Sequence, residues 1–567
     1  MATVSAPVEY RLHRGVGRIG LLFVSLGSII GSGWLFGALT AATLAGPAAL
    51  LSWILGGAVV VLLALVHAEL GGMFPVSGGS ARFPYYAFGG FAGFAGGWLT
   101  FLGTVTTAPI EVEAALQYAT NYVPWLTRAA GSTAVLTPAG YAVATVLMLA
   151  FSVVNMLGVR WLARTNTAAV WWKIAIPVLT VGVLLAVSFH AGNFTAGGGF
   201  MPYGLKGVLV AVATGGVIFA YLGFEQAIQL GGETRDPQRN IPFAVIGSMV
   251  LGVLLYVALQ VAFLAALDPA GLRKGWAAVA FSGPGEVFGP FAGLATALGL
   301  GWLAFLLYTD AVISPAGTAL LYLGTSARLT YALGRQRLVP RPFALLTSRG
   351  VPLISIAFSF LCGMVVFLPF PGWQQLVGFI TSATVLGYAT APLALGALRR
   401  QDPDRIRPYR LPAARVLAPV AFVVASEVLL FAGWAVVWKL VVAIAVGVGL
   451  LAVSLVTTPA GERPALDWVH GAWLAPYLLG MAGLSYLSSF DTATPSSIPL
   501  LGLAGPRNIL HAGWDVAAVA VLSLAIYWLA IRLRLPDPRV QTYIQDLSAE
   551  AEEECTELDG RTDGTTR

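Results

Sequence analysis

Residues 27–37 read Gly-Ser-Ile-Ile-Gly-Ser-Gly-Trp-Leu-Phe-Gly, and they lie in the middle of an apolar segment that spans residues 17–40. Glycine weakens a helix because it loses more conformational freedom on folding than other residues, and a bilayer offers no water to replace broken hydrogen bonds. The alternative interpretation is close packing of neighbouring helices through small residues, since glycine is common in membrane helices. The tight Gly31-Ser32-Gly33 triplet favours an unwound stretch.

The composition around this stretch is that of a membrane protein. Of the 567 residues, 57% are hydrophobic and 10% are charged, whereas an ordinary soluble domain is about 25% charged and about 45–50% apolar. This excludes a soluble globular enzyme, a disordered protein and a nucleic-acid binder. The net charge of +6 does not change this, because the charges lie between apolar runs rather than in one basic patch. The sequence predicts an all-α, polytopic protein whose partner is the lipid bilayer.

Apolar runs of about 20 residues, the length that a membrane helix needs, recur along the chain. The fourteen candidates are residues 17–40, 46–70, 86–119, 138–158, 168–189, 206–231, 242–267, 288–323, 352–370, 373–397, 415–434, 438–457, 472–488 and 513–533. Only a very short turn, from Ala435 to Trp438, separates the pair at 415–457, so twelve spans are the alternative. Most lysines and arginines between the spans fall on one side, which favours the cytoplasm. We therefore expect a multi-pass protein of the cell (plasma) membrane with cytoplasmic N- and C-termini.

A second glycine-rich stretch interrupts the sixth candidate span. Residues 215–225 read Gly-Gly-Val-Ile-Phe-Ala-Tyr-Leu-Gly-Phe-Glu and place a carboxylate at mid-depth. This stretch follows the first by five spans, and an odd offset means that the second unit is inverted relative to the first. Interrupted helices at corresponding positions of two inverted halves are typical of a transporter's binding site.

The two interruptions would hold the two ends of a zwitterion. The half-helix after Gly33 exposes N–H groups and the positive end of a helix dipole, which suit a carboxylate. The half-helix that ends before Gly223 exposes carbonyl groups, which suit an ammonium group. Phe219 or Tyr221 would cover the ligand as a gate, and the alternative for each is packing in the core. The predicted substrate-binding residues are Ile30, Gly31, Ser32, Gly33, Phe219, Ala220, Tyr221 and Gly223.

Further motifs accompany the two stretches. They are Glu69-Leu70 with Pro75 and Gly78-Gly79, Asn155 and Gly158-Val159-Arg160 with Lys173 downstream, Phe219-Ala220-Tyr221-Leu222-Gly223, and Gly-Glu-Thr-Arg-Asp-Pro-Gln-Arg-Asn-Ile-Pro at 232–242. With these motifs the chain resembles the amino acid–polyamine–organocation transporters over roughly residues 15–400. The resemblance implies a LeuT-like fold of two inverted five-helix repeats, here with about four extra C-terminal helices.

Within that superfamily the chain looks similar to bacterial aspartate–proton symporters. The features that carry this resemblance are Gly33-Trp34-Leu35-Phe36, Ser52-Trp53-Ile54-Leu55-Gly56-Gly57, Ile110-Glu111-Val112, Gly301-Trp302-Leu303-Ala304, Asp310-Ala311 with Ser314-Pro315, and Leu368-Pro369-Phe370-Pro371. Glu225 departs from that pattern, and an extra acid near the site would repel an acidic substrate.

These observations divide the chain into five regions. We expect a cytoplasmic N-terminus at 1–16, a transport core at 17–400 with repeats at about 17–190 and 206–397, a basic cytoplasmic loop at 401–414, accessory transmembrane helices at 415–534 and a cytoplasmic acidic tail at 535–567. The tail is rich in glutamate and poor in apolar residues, which is typical of a solvated end.

Lys173, near the start of the fifth span, is a functional candidate because a charge inside a bilayer is costly. It would either extend to the lipid headgroups or carry a proton, since burial disfavours the charged form of a lysine. The resemblance implies the second role. The Lys173 ammonium would then stand where sodium binds in sodium-coupled relatives, close to the carbonyl groups of Gly27 and Ile30 and to the Ser314 hydroxyl.

Carboxylates inside the spans are candidates for the same role. Glu111 and Glu113 are two residues apart in the third span and cannot share one face of a helix, so at most one of them faces the cavity. Glu111 is the candidate proton carrier of this pair, and Asp310 and Glu225 are similar candidates. The alternative for each is a polar contact between helices or a position in the extracellular vestibule.

For ionisable residues near the ends of the spans, a structural role is the favoured interpretation. Glu69 and Glu233 are expected to form gating or structural ion pairs with loop arginines such as Arg82 or Arg235. His67, close to Glu69 in the sequence, is expected to be a hydrogen-bonded structural residue rather than a proton relay.

The predicted function is proton-coupled uptake of an amino acid by alternating access, and the resemblance alone favours an acidic, aspartate-like substrate. No arginine lies inside a core span and Lys173 is the one lysine there, so a neutral amino acid symporter and an amino acid/polyamine exchanger are the alternatives. No metal cluster, nucleophile–base set or phosphate loop of useful spacing appears. We therefore predict no enzyme activity, no metal, no cofactor and no nucleic-acid partner.

Overall fold

The computed structural model shows a helical bundle. It describes residues 16–75, 79–130, 133–157, 159–231, 234–280, 289–347, 351–370, 372–490, 508–511 and 513–545. The predictions for the N-terminus before residue 16, for Glu233 and for the acidic tail from residue 546 lie outside the described residues.

Among the described residues, the first half of the chain has seven α-helices and one hairpin. They are α1 (Arg18–Ile29), α2 (Gly33–Ala45), α3 (Ala49–Met73), α4 (Gly79–Phe88), α5 (Gly90–Ala119), β1 (Thr127–Ala130), β2 (Thr133–Leu136), α6 (Pro138–Leu157) and α7 (Val159–Val187). The two strands are antiparallel, with Thr127 opposite Leu136. They connect the third and fourth predicted spans.

The second half and the C-terminal region follow with a similar order of long and short helices. The second half contains α8 (Gly204–Thr214), α9 (Val217–Tyr221), α10 (Glu225–Gln229), α11 (Pro237–Ala266), α12 (Pro290–Ala297), α13 (Gly301–Arg335), α14 (Leu353–Val366) and α15 (Trp373–Gln401). The C-terminal region contains α16 (Ala414–Phe431), α17 (Trp434–Thr457), α18 (Trp468–Gly471), α19 (Leu474–Leu487) and α20 (Trp514–Arg532).

Every predicted span contains a helix, but three boundaries were wrong. The turn between α16 and α17 lies at Ala432–Gly433 rather than at Ala435–Trp438, because Gly433 adopts a φ of 77°. Gly89, with a φ of 86°, separates α4 from α5 inside the predicted span 86–119. A short turn that contains Gly299, with a φ of 73°, likewise separates α12 from α13.

Length and hydropathy identify nine helical segments of the described residues as able to cross a membrane. Three shorter apolar helices lie at Arg18–Ile29, Gly204–Thr214 and Leu353–Val366. The first two of these are the leading halves of the interrupted spans, so their shortness follows from the interruptions.

The long helices pack in pairs that reflect the internal repeat. α3 packs along α11, and α5 packs along α13. Each pair joins helices that follow the interrupted span at the same position in the two halves. Buried apolar side chains from both halves and from the C-terminal helices form one continuous cluster, so the C-terminal helices share their packing with the repeats.

Glu69, at the end of α3, has different partners from those expected. Its buried carboxylate accepts hydrogen bonds from Arg399 Nε at 2.9 Å, from Arg399 Nη2 at 2.6 Å and from the Leu411 N–H at 2.7 Å. Arg407 lies 3.4 Å away. The expected ion pair with a loop arginine is confirmed, but the partners are Arg399 and Arg407 rather than the named examples Arg82 and Arg235, because the end of α15 and the chain after it lie over the end of α3.

Candidate functional site

The site lies where the two interrupted helices cross. The first interruption comprises residues 30–32, between α1 and α2. A Cβ atom on Gly33 would stand 2.7 Å from the Ala220 Cα, and one on Gly223 would stand 2.7 Å from the Ser28 carbonyl carbon. Two positions without side chains therefore allow direct contact between the backbones, and the predicted interruption at Gly31–Gly33 is confirmed.

The second interrupted helix is broken twice rather than once. Gly216 adopts a left-handed conformation with a φ of 85° and separates α8 from α9. Leu222 to Phe224 then separate α9 from α10, and Gly223 has a φ of 121°. The sequence pointed to this region as one weak stretch, but one helix boundary lies at Gly215–Gly216 and a second at Leu222–Phe224.

A small cavity lies beside the crossing. Its lining comprises Ser28, Ile29, Gly31, Gly33, Thr107, Glu111, Phe219, Leu222, Thr318 and Tyr322. Glu111, Gly31, Gly33 and Phe219 were predicted as site residues, and they line this cavity.

The other predicted binding residues lie at the crossing but outside the lining. They are Ile30, Ser32, Ala220, Tyr221 and Gly223. The Tyr221 hydroxyl donates a hydrogen bond to the Trp53 carbonyl at 3.1 Å, and its side chain is fully buried. Tyr221 thus packs against α3, which corresponds to the alternative interpretation of this residue, whereas Phe219 faces the cavity.

Lys173 is buried beside the first interruption. Its Nζ donates hydrogen bonds to the Gly27 carbonyl at 2.9 Å and to Thr318 Oγ1 at 2.8 Å. The expectation of a Ser314 partner was wrong, because Ser314 Oγ donates instead to Asp310 Oδ1 at 2.6 Å. Thr318, one helical turn further along α13, provides the hydroxyl for the ammonium. The lysine therefore connects α7 to the end of α1 and to α13.

Glu111 reaches the first interruption from α5. Both carboxylate oxygens accept the Ser32 N–H, at 2.9 and 3.2 Å, and the side chain is 1% exposed. Glu113, which is fully buried, has no hydrogen-bond partner for its carboxylate oxygens among the described residues. Only Glu111 of this pair lines the cavity, as the helical spacing indicated.

Glu111, Lys173 and Asp310 form a buried charged group around the first interruption. Lys173 interacts electrostatically with both carboxylates. Opposite charges that approach one another inside a bilayer offset part of the cost of burying each of them. Gain or loss of one proton by this group changes its net charge at the interruption.

Glu225 belongs to the second interruption. Its carboxylate accepts the Gly223 N–H at 3.1 Å and the Tyr322 hydroxyl at 3.3 Å, and it also accepts the Tyr388 hydroxyl. The His67 ring packs against the Tyr388 ring at 5.2 Å, and His67 Nδ1 lies 2.8 Å from the Leu63 carbonyl oxygen. His67 therefore makes the structural contacts expected of it, and Glu225 links α10 to α13 and α15.

Sequence reasoning missed the hydroxyl groups of the cavity. Thr107 lies one turn before Glu111 on α5, and Thr318 and Tyr322 lie on α13. A signal was present, because Asp310, Ser314, Thr318 and Tyr322 recur every four residues along an apolar helix and therefore share one face. No group of three or more potential metal-ligating side chains occurs in the part of the chain that the structure describes.

Comparison with known proteins decides the family. The model of the amino acid permease family matches residues 16–487. The chain belongs to this family. It is 37% identical over 527 residues to the glutamate/serine transporter AimA of Bacillus subtilis (strain 168), an alignment that covers 92% of this chain and 94% of that protein. It is 33% identical over 519 residues to the aspartate-proton symporter of the same organism, covering 91% and 96% of the two chains.

A third similar protein is named for a compound that is not a standard amino acid. The methylthioribose transporter of Bacillus subtilis is 28% identical to this permease over 433 residues, which cover 74% of this chain and 88% of that protein. Membership of the family confirms the predicted fold, a LeuT-like arrangement of inverted five-helix repeats with additional C-terminal helices. The permease is a multi-pass membrane protein and a transporter of amino acids, not an enzyme.

Proposed function

We propose that this permease couples the uptake of an amino acid to the entry of a proton, with an acidic, aspartate-like molecule as its substrate. The observation that carries this proposal is the Lys173 ammonium, which donates to the Gly27 carbonyl and to the Thr318 hydroxyl beside the cavity. A cation at this point stabilises the end of α1, whose last carbonyl groups lack helical partners. Loss of its proton would remove that stabilisation.

Two relatives support the choice of substrate. Two similar proteins are an aspartate-proton symporter and a glutamate/serine transporter. An amino acid would bind with its carboxylate at the N–H groups of α2 and with its ammonium group near the carbonyl groups at the end of α9. The proposed site thus comprises the two interruptions, with Phe219 as a cover.

A neutral, serine-like substrate is the second candidate. The cavity presents hydroxyl groups of Ser28, Thr107, Thr318 and Tyr322, which suit a substrate hydroxyl group or a protonated side-chain carboxyl group. Glu111 also lines the cavity and would repel a second free carboxylate. These observations favour serine or an acid whose side chain is neutralised during transport.

Residues 17–400 would form the transport core, and residues 415–534 would be accessory helices. We place both termini in the cytoplasm, because the arginine-rich chain between α15 and α16 lies on the same side as the termini in the predicted topology. The plasma membrane potential favours the entry of net positive charge by about 2.3 kcal/mol per 100 mV for each charge, and this contribution vanishes when a single proton enters with a substrate of one negative charge.

The test is uptake of radiolabelled L-aspartate, L-glutamate and L-serine into proteoliposomes with an imposed proton gradient. We expect accumulation that a protonophore abolishes, and loss of gradient-driven accumulation in Lys173→Ala. Lys439→Ala is the matched control, because Lys439 lies in α17 over the Phe370 ring at 4.2 Å. Indifference to protons together with a requirement for sodium would contradict the proposal, and uptake only with internal substrate would indicate an exchanger.

A further inference from the structure

We propose that Glu111 is an internal substitute for the substrate carboxylate: it binds the Ser32 N–H of the first interruption and must leave before an amino acid can bind there. The inference rests on the proposed function, since it concerns how the same site admits its substrate. It assigns to Glu111 a competition for one backbone donor, in addition to any role as a proton carrier.

The hydrogen bonds carry the first step. Ser32 directly precedes α2, so its N–H lies at the positive end of that helix, where an anion is favoured. Glu111 places both carboxylate oxygens within 3.2 Å of this nitrogen. A substrate carboxylate that used the same N–H would need the volume that the Glu111 oxygens fill.

Packing around Gly31 carries the second step. A Cβ atom on Gly31 would stand 2.6 Å from Glu111 Oε1. The Glu111 carboxylate can therefore reach the interruption only because Gly31 has no side chain. Gly31, Gly33 and Glu111 all line the cavity. The competitor is therefore part of the wall against which a ligand would lie.

Charge repulsion makes the competition depend on the protonation state of Glu111. Two carboxylates at one N–H group repel each other, whereas a protonated Glu111 has no charge and binds the donor more weakly. Proton uptake by Glu111 and substrate binding would therefore favour each other, and by linkage each would raise the affinity of the other to the same extent. The charged and titratable groups that interact with Glu111 are Lys173 of α7, Tyr256 of α11 and Tyr322 of α13, and Lys173 also interacts with Asp310.

The experiment measures binding of radiolabelled L-serine and L-aspartate to the purified full-length chain across about pH 5 to 8. In the wild type we expect affinity to rise as the pH falls. In Glu111→Gln we expect affinity at the alkaline end to rise about tenfold, the ratio that corresponds to the loss of one charge-assisted hydrogen bond from the competitor. The pH dependence should also become flat.

Glu113→Gln is the matched control, because Glu113 lies on the same helix and is equally buried but is not part of the cavity lining. It should retain the wild-type affinity and pH dependence. Ethanolamine, which is serine without its carboxylate, should compete no better in Glu111→Gln than in the wild type. An equal gain for ethanolamine would overturn the competition for a carboxylate position.

Two further results keep the test decisive. If Glu111→Gln does not fold, Glu111→Asp withdraws the carboxylate by one methylene group and should shift affinity in the same direction. A wild type whose affinity is independent of pH overturns the inference whatever the variants do. Amino acid binding that Glu111→Gln leaves unchanged would overturn this inference alone, whereas absence of binding of every amino acid tested would overturn the proposed function as well.

Discussion

The two interrupted helices meet the same physical requirement in different ways. Both expose backbone N–H groups inside a bilayer, and in both a glutamate accepts one of them. At the first interruption the glutamate is Glu111, which comes from α5 and is 79 positions from Ser32 in the chain. At the second it is Glu225, two positions from Gly223. A distant partner can leave when helices move, whereas a local partner moves together with its own interruption.

This difference separates the roles of the two regions. The first interruption has one distant carboxylate in the wall of a cavity, so its donor becomes available when α5 shifts relative to α2. The second has a carboxylate that two tyrosine hydroxyls from α13 and α15 also bind. We therefore expect the first interruption to respond to ligand and protons, and the second to hold α10, α13 and α15 together.

The largest effect is expected where the interruptions touch. Gly223→Ala places a Cβ atom 2.7 Å from the Ser28 carbonyl carbon at a φ of 121°. Overpacking typically costs about 1–3 kcal/mol, and a left-handed conformation costs a residue with a side chain about 1–2 kcal/mol more. We expect uptake to fall to background and the melting temperature in detergent to fall with it.

The matched control for this substitution is Gly182→Ala in α7. A Cβ atom there meets no described atom within 4 Å, so thermal stability and uptake should stay at the wild-type level. Wild-type uptake by Gly223→Ala would show that the two backbones do not need to cross in contact, and the comparison of the two interruptions would lose its basis.

The next effect concerns the two glutamates. Glu225→Gln disturbs the hydrogen bonds that Glu225 accepts from three donors, the Gly223 N–H and two tyrosine hydroxyls. Glu111→Gln disturbs the hydrogen bonds that Glu111 accepts from one donor, the Ser32 N–H. A buried donor left without a partner costs about 1–3 kcal/mol. We expect Glu225→Gln to lower the melting temperature more than Glu111→Gln, with thermal unfolding of the purified chain as the measurement.

Glu113→Gln serves again as the reference for a buried glutamate, since its oxygens accept no hydrogen bond from any described residue. It should not lower the melting temperature. If Glu111→Gln proved the more destabilising of the two, the first interruption would be the rigid one, and the proposed division of roles would be reversed.

A site residue could be predicted where its role depends on the local sequence, and could not where its role depends on contacts between distant helices. The interruptions were predictable because glycine acts through the local backbone. Gly31-Ser32-Gly33 and the glycines of residues 215–225 can therefore be recognised from the sequence alone. The partner of Lys173 was not predictable. Whether the ammonium reaches Thr318 or Ser314 depends on the axial offset between α7 and α13. No local pattern sets that offset.

Long-range contacts explain the other differences. The Glu69 partners Arg399 and Arg407 are more than 300 positions away, so nothing near Glu69 points to them. Boundaries at Gly89 and Gly433 were missed because an apolar run continues through each glycine. By contrast, helix type and the order of the two halves follow from hydropathy and spacing, which are properties of long segments and survive local errors.

A smaller effect distinguishes two aromatic residues of the second interruption. Phe219 lines the cavity and packs against Trp373 with ring centroids 5.8 Å apart, so Phe219→Leu should change the KM for uptake. Because the ring is replaced by another apolar side chain, we expect thermal stability to change by less than about 1.5 kcal/mol. An unchanged KM across the amino acids tested would place the ligand away from Phe219.

The smallest effect is expected for Tyr221→Phe, which removes one hydroxyl group from the same short helix. That hydroxyl donates to the Trp53 carbonyl, and a single hydrogen bond of this kind contributes about 0.5–1.5 kcal/mol. The ring keeps its edge-to-face contact with Trp53 at 5.6 Å, so the packing of α9 on α3 should persist. We therefore expect a slightly lower melting temperature and a KM equal to that of the wild type. A KM change as large as that of Phe219→Leu would mean that both aromatic residues reach the ligand, and that the second interruption turns in the transport cycle instead of holding its helices in place.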